Sequence, residues 1–280
     1  LSKVWRTLKD IQEFHKTNSK EIGFVPTMGN LHDGHLSLLK ASLLENPITV
    51  LSIFVNPMQF GDKSDLDAYP RTLEEDISKA SSLFTDQDKE LIILCPQDDS
   101  LIYPVNFNDY VSIERLKSIS EGKTRPGHFD GVATVVKRLF TLIKPTRAYF
   151  GKKDFQQYLL VKEMVKQEDV KVQIIGLPII REKNGLAMSS RNSRLDNEQK
   201  KESLKLSKTL LEVLFTIQSQ GIAKAQELVE EKLTDKRFNY LEIRNAETFE
   251  LASPTQSEIV IVGNFQLGET RLLDNVEVTI

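Results

Sequence analysis

The sequence has one cysteine, one tryptophan, no basic surplus and no apolar run of membrane-spanning length. Each shortage excludes something. The lone thiol, Cys95, rules out an internal disulfide. It lies in the apolar run Leu91-Ile92-Ile93-Leu94-Cys95 with no basic neighbour, so it reads as a small core residue rather than a nucleophile. A formal net charge of −3 leaves no electrostatic footprint for nucleic acid, which asks for a basic patch or stripe. No membrane span is expected, and no signal-peptide pattern precedes the first helix pattern; a soluble, cytoplasmic protein is the expectation. Familiar phosphate and acyl-transfer motifs are also missing: no Walker-type loop, no G-x-G-x-x-G and no G-x-S-x-G nucleophile elbow.

What is present is an alternating pattern over the first two-thirds of the chain. Strand-like runs at Ile22–Val25, Ile48–Val55, Leu91–Cys95, Arg147–Phe150 and Val170–Leu177 are separated by amphipathic helix patterns around His35–Glu45, Leu73–Phe84, Phe129–Ile143 and Phe155–Gln167. Apolar β-branched runs spaced by helices predict an α/β, Rossmann-like, doubly wound parallel sheet covered on both faces. Beyond Pro178 the pattern changes. Asn184-Gly185 signals a type I′ hairpin within Arg181–Met188, and two long helix patterns and three strand-like runs follow. The expectation is two domains: residues 1–179, binding nucleotide and substrate, and residues 180–280, a smaller C-terminal α+β lid.

In parallel sheets ligands gather outside the carboxyl ends of the strands, so the loops there are the candidates. His32-Asp33-Gly34-His35 sits where the first of these strands hands over to a helix, and it holds two of the four histidines. Two imidazoles beside the open N–H groups of a helix N-terminus suit a polyphosphate. Asn56 and Gln59, after the second strand, offer uncharged amides suited to a small hydroxy acid, though this segment alone reads better as a polar turn burying Phe60. Glu74, Glu75 and Asp76 complement a helix dipole, or give magnesium a foothold. Arg125 in the Pro126-Gly127-His128 loop can meet an anion, or Asp130 or its neighbours can cap the following helix. Gly151-Lys152-Lys153-Asp154 repeats the strand–glycine–helix junction with two ammonium groups. Met188-Ser189-Ser190-Arg191 places hydroxyls and a guanidinium in series. The histidine turn, the lysine loop and the Ser-Ser-Arg segment form a three-sided phosphate clamp. A zinc site on His32 and His35 lacks further ligands. What remains is nucleotidyl transfer, which works by positioning and charge stabilisation without a protein nucleophile.

With these loops in this order, the chain resembles the pantothenate synthetase (pantoate–beta-alanine ligase) family of the HxGH nucleotidyltransferase superfamily. The resemblance covers essentially the whole chain. It rests on PTMGNLHDGH (26–35), SIFVNPMQFG (52–61), YPRT (69–72), PGHFDGVATVV (126–136), FGKKDFQQ (150–157) and MSSRN (188–192). The resemblance implies ATP-dependent condensation of pantoate with beta-alanine through a pantoyl adenylate, with Mg²⁺ and a homodimer. It places Met28, Gly29, Asn30, Leu31, His32, Asp33, Gly34 and His35 along ATP, with His35 as proton donor. Gly151, Lys152, Lys153 and Asp154 line ATP, Ile180 sits by the adenine, and Met188, Ser189, Ser190 and Arg191 close over the triphosphate. Gln59 and Gln157 hold pantoate, with Asn56 a further contact, and Asp76 then Glu75 receive the metal. Asn30 and Asp33 depart from the family's common alanine and glutamate, and Glu74-Glu75-Asp76 stands where aspartates are frequent. A cytidylyl- or adenylyltransferase of the same superfamily would share the histidines and Ser-Ser-Arg but lack the Asn56/Gln59/Gln157 amides. A non-enzymatic nucleotide binder would have little need for a second substrate pocket.

Overall fold

The computed structural model describes residues 2–86 and 88–280. The chain forms two compact units: one runs through Gly151 and adds Leu160–Leu177, and the other comprises Lys152–Leu159 and Pro178–Ile280. The division expected after residue 179 thus falls at Pro178, and Lys152–Leu159, expected in the first domain, groups with the second.

The first unit follows the order β1 (Lys3–Trp5), α1 (Leu8–Thr17), β2 (Ile22–Thr27), α2 (Asp33–Glu45), β3 (Ile48–Ile53). It continues through α3 (Lys63–Asp67), α4 (Leu73–Ser82), β4 (Glu90–Leu94), α5 (Glu114–Lys117), α6 (Ser120–Thr124), α7 (His128–Ile143) and β5 (Arg147–Gly151). After α8 (Phe155–Gln167) comes β6 (Gln173–Leu177). The sheet is parallel throughout with order β1-β4-β3-β2-β5-β6. Strands β2, β3 and β4 grow one way and β5, β6 the other, so the order reverses between β2 and β5. That reversal is the switch point at which such sheets bind ligands. β1, like the short helices α3, α5 and α6, is absent from the sequence reading, because Lys3-Val4-Trp5 is too short to show a period; it pairs with Ile92–Leu94 at the sheet edge.

Both faces of the sheet are covered, as its apolar runs require. Val25, Leu39, Leu43, Leu51, Leu91, Ile93 and Tyr149 share one buried cluster, while Phe24 meets Phe140 of α7 edge-on, with ring centroids 6.1 Å apart. Gly23 fixes how closely α2 lies on β2: a Cβ there would stand 2.3 Å from Ser42 Oγ and 2.4 Å from Asn46 Nδ2. Asn46 in turn donates to the Tyr149 hydroxyl at 2.7 Å, and that hydroxyl donates to Glu45 at 2.7 Å. Burial, then the Glu45 contact, pushes the phenol up to about 12. Cys95 is buried and its thiol pKa is raised by burial, in keeping with a core role.

In the second unit α9 (Asn197–Gln220) and α10 (Ile222–Lys232) precede an antiparallel sheet of β7 (Phe238–Asn245), β8 (Glu258–Leu267) and β9 (Thr270–Thr279). Leu206, Leu210, Val213 and Ile217 recur at helical spacing along α9 and share a core with Ile259, Ile261 and Phe265. Gly263 allows the close approach, since a Cβ would lie 2.8 Å from Leu206 Cδ1. The Asn184-Gly185 turn differs from the expected type I′. Only Gly185 takes a positive φ, +95°, whereas type I′ needs two such residues. The Gly185 N–H donates to Glu182 O and the Glu182 N–H to Leu186 O, which makes the longer turn with a glycine bulge.

Gly23→Ala should push α2 away from β2 and lower the unfolding free energy by about 1–3 kcal/mol. Denaturant titration against the parent chain measures this; an unchanged midpoint would contradict the packing account.

Candidate active site

The turn Met28–Leu31 leaves the carboxyl end of β2 and enters α2 at His32. His32 is the N-cap, with an extended backbone at φ −128° and ψ 174°. Its Nδ1 accepts the Gly34 N–H at 3.1 Å, and His35 Nδ1 accepts the His32 N–H at 3.4 Å, a reciprocal capping box built from two imidazoles. The rings lie 4.1 Å apart between centroids, tilted by 32°. An imidazole nitrogen that accepts carries no proton, so each neutral ring holds its proton on Nε2. Two Nε2–H donors therefore sit at the positive end of a helix, a pairing suited to phosphate oxygens. Gly34 makes it possible, because a Cβ there would fall 2.8 Å from His32 Cε1.

Beside this turn the chain after β3 forms a single 3₁₀ turn, Pro57–Gln59, capped by Asn56. Asn56 is 1% exposed and fully engaged. Its Oδ1 accepts from the Met58 N–H at 3.2 Å and the Tyr103 hydroxyl at 2.6 Å; its Nδ2 donates to Gln59 Oε1 at 3.0 Å and Gly131 O at 3.1 Å. An amide with both hydrogens and both lone pairs used has nothing left for a ligand. The expected direct contact from Asn56 is thus replaced by an orienting role. Gln59, with Oε1 turned toward Asn56, directs Nε2 toward Met28 Sδ at 3.1 Å. The structure so brings Gln59 to the histidine turn. His128 Nδ1–H donates to Gln59 O at 2.8 Å, and Arg125 donates to His128 Nε2 at 3.0 Å. Arg125 also stands 3.8 Å from buried Glu121, so it belongs to a packed network rather than an open anion site. The cap expected from Asp130 or its neighbours falls on Gly127 at φ +78°, and Asp130 itself accepts from Ser112. Tyr103 and His128 escaped the sequence reading. Tyr103 lies in an irregular stretch with no period, whereas the scarcity of histidine was a usable signal for His128.

Of the two acidic residues expected to receive magnesium, Asp76 does not fit that task. Asp76 is 0% exposed, and its two oxygens accept the Asn30 N–H at 2.8 Å, the Leu31 N–H at 2.7 Å and the Thr72 hydroxyl at 3.0 Å. Glu75 pairs with Lys79 at 2.7 Å. Among the described residues no group of three His, Cys, Asp or Glu side chains is placed to hold a metal ion.

The remaining expected residues lie beyond Gly151 and belong to the second unit. Lys152–Asp154 form a 3₁₀ turn directly after β5. Asn275 of β9 donates to the carbonyls of Lys152 and Lys153, both at 2.8 Å. Lys152 pairs with Glu277 at 2.7 Å, and Lys153 stands 3.4 Å from Asp154 Oδ1. Gln157 is half-buried on the first turn of α8. Arg181 forks onto buried Asp274 at 2.7 and 2.8 Å and holds Gly185 O at 3.0 Å. The hairpin it anchors returns the Met188 N–H to Ile180 O at 2.9 Å. Ser189 caps the next turn by accepting the Arg191 N–H at 3.2 Å, and Asn192 donates to Glu182 and Ala187 O. Neighbouring residues Asp274 and Asn275 thus hold both the hairpin leading to Ser-Ser-Arg and the lysine turn. Sequence spacing carries no sign of that pairing.

Gly34→Ala tests the histidine geometry. Alanine's helix propensity offsets the lost His32 cap, so the thermal midpoint should move little, while the displaced His32 ring should weaken ATP binding about tenfold, one charge-assisted hydrogen bond. Calorimetric titration reads the loss; unchanged affinity would contradict the geometry.

Comparison with known proteins bears on the same residues. Residues 3–277 match the family described as pantoate-beta-alanine ligase. A pantothenate synthetase of Caldicellulosiruptor bescii is 43% identical over 278 residues, covering 97% of this chain and 96% of that one. Another, from Bacteroides thetaiotaomicron, is 41% identical over 288 residues, covering 98% of each. A crystal structure of the Thermus thermophilus enzyme superposes with a TM-score of 0.91 at 39% identity, covering 99% of this chain and 100% of that one. A Francisella tularensis pantoate-beta-alanine ligase complexed with beta-gamma ATP and beta-alanine superposes at 0.76 with 31% identity, covering 99% and 98%. By sequence over nearly its whole length, and by fold, this chain belongs to the pantoate-beta-alanine ligase family.

Proposed function

We propose that the chain joins pantoate to beta-alanine in two steps at the site above. An oxygen of the pantoate carboxylate attacks the α-phosphorus of ATP, the bond from that phosphorus to the bridging oxygen breaks, and pyrophosphate leaves. The beta-alanine nitrogen then attacks the acyl carbon, the carbon–oxygen bond to AMP breaks, and the nitrogen gives up its proton as pantothenate forms. One observation carries the reading: both imidazoles at the start of α2 have Nδ1 occupied by backbone N–H groups and so act as Nε2–H donors.

The first step needs donors where charge accumulates. Its nucleophile arrives as a carboxylate, so no general base is required, and His35 works as a hydrogen-bond donor to the departing pyrophosphate, with His32 beside it. Lys153, Ser189, Ser190 and Arg191 supply further positive charge and donors for the triphosphate, with Gly151, Lys152, Asp154, Ile180 and Met188 lining ATP. Gln59 offers its amide N–H to pantoate and helps form the beta-alanine site, Gln157 holds pantoate with a second amide, and Asn56 acts by orienting Gln59. Asp76, its carboxylate spent on the Asn30 and Leu31 N–H groups and the Thr72 hydroxyl, takes no part in holding magnesium. The family reading also carries the expectation of a homodimer.

His35→Ala should leave the fold intact and lower pyrophosphate release from ATP and pantoate by about 100-fold or more. Near-normal release would remove His35 from the mechanism. AMP release by the parent chain should require both pantoate and beta-alanine; AMP formed without both would overturn the ligase reading, and pyrophosphate released with no AMP when both are present would favour a plain adenylyltransferase.

A further inference from the structure

The loop that carries the histidines is gripped by a helix more than forty residues away. Asp76 stands in the first turn of α4, and its carboxylate takes the Asn30 and Leu31 N–H groups at 2.8 and 2.7 Å. The Thr72 hydroxyl donates to the same carboxylate at 3.0 Å. Lys79, on the next turn and paired with Glu75, donates to Leu31 O at 3.0 Å, so both polar groups of Leu31 are held by α4.

The backbone held in this way is a tight turn. Gly29 has φ +82° and Asn30 φ +51°, two successive residues in the left-handed region, which glycine and asparagine enter at least cost. Successive N–H groups in such a turn converge on one point, a concavity that favours a negative charge. Here the charge belongs to the protein. There is little slack around it, because a Cβ at Gly29 would sit 2.9 Å from Asp76 Oδ2.

Building on the function proposed above, we infer that Asp76 is a positioning residue for adenylate formation. Its carboxylate holds Gly29–Leu31 in the left-handed turn and thereby fixes where α2 begins and where His32 and His35 place Nε2. Glu75 contributes through Lys79. The two acidic residues whose position invites a magnesium reading instead shape the phosphate-facing turn from behind.

The test compares the full-length parent with Asp76→Asn and Thr72→Val, following pyrophosphate release from ATP and pantoate while ATP, pantoate and Mg²⁺ are each titrated. Asparagine keeps the shape but turns an NH₂ toward a backbone N–H. Its kcat should fall about 100-fold, the scale of a displaced reacting group. The KM for pantoate should stay within about twofold, as expected for an interaction expressed in the transition state, and half-saturating Mg²⁺ should not move. Thr72→Val should lower kcat in the same direction by about 3- to 10-fold, the loss of one hydrogen bond. Recovery of the parent rate by raising Mg²⁺ would make Asp76 a metal ligand and overturn the inference. A lowered thermal midpoint with parental kcat in the folded fraction would reduce it to a structural residue and overturn it equally. If Asp76→Asn does not fold, Thr72→Val decides: reduced kcat at an unchanged Mg²⁺ requirement supports the inference, and parental kcat refutes it. A parent chain forming no pyrophosphate from ATP and pantoate would count against the proposed function instead, which keeps the two failures apart.

Discussion

The backbone N–H groups of Asn30, Leu31, His32 and Gly34 point out of the turn between β2 and α2, and side chains have to satisfy them. A helix start leaves such donors open, and leaving them unpaired beneath packed structure is costly. The chain meets the demand with Asp76 for the first two, His35 for the third and His32 for the fourth. Under the proposed function, capping and chemistry are therefore the same interaction. Because each imidazole spends Nδ1 on the backbone, its proton is committed to Nε2, and a structural requirement decides which ring nitrogen a phosphate can meet.

Other features of the first unit support that turn. Gly23 lets α2 lie close enough to β2 for the turn to be short, and Gly34 clears the space occupied by the His32 ring. Met28, the first residue of the turn, touches the Gln59 amide, whose orientation is set by Asn56 and whose backbone carbonyl is held by His128. The Gln59 amide and the histidine turn lie on adjacent loops of one sheet. In the second unit the comparable role falls to Asp274 and Asn275, where strand β9 holds two loops by side chains one residue apart.

The alternation of strands and helices was legible because buried parallel strands read as continuous apolar runs, and most elements lie within a few residues of their expected bounds. Local chemistry was legible where it depends on neighbours in sequence, as in His32-x-Gly34-His35. Long-range pairing was not. An aspartate in the first turn of a helix looks like dipole compensation or a metal ligand, and only the fold shows that Asp76 faces a turn more than forty residues earlier. Asn56 misled for the same reason: its composition suits a ligand, but Tyr103 and Gly131 consume its capacity. The type I′ hairpin failed because Asn184 tolerates a positive φ without demanding it.

The central claim is that backbone capping fixes the tautomers of His32 and His35. Nitrogen-15 NMR of the histidine rings, recorded with the rings neutral and assigned through His32→Gln and His35→Gln, reads this directly. Both rings should show a protonated Nε2 and an accepting Nδ1. An Nδ1–H tautomer at either ring would contradict the account.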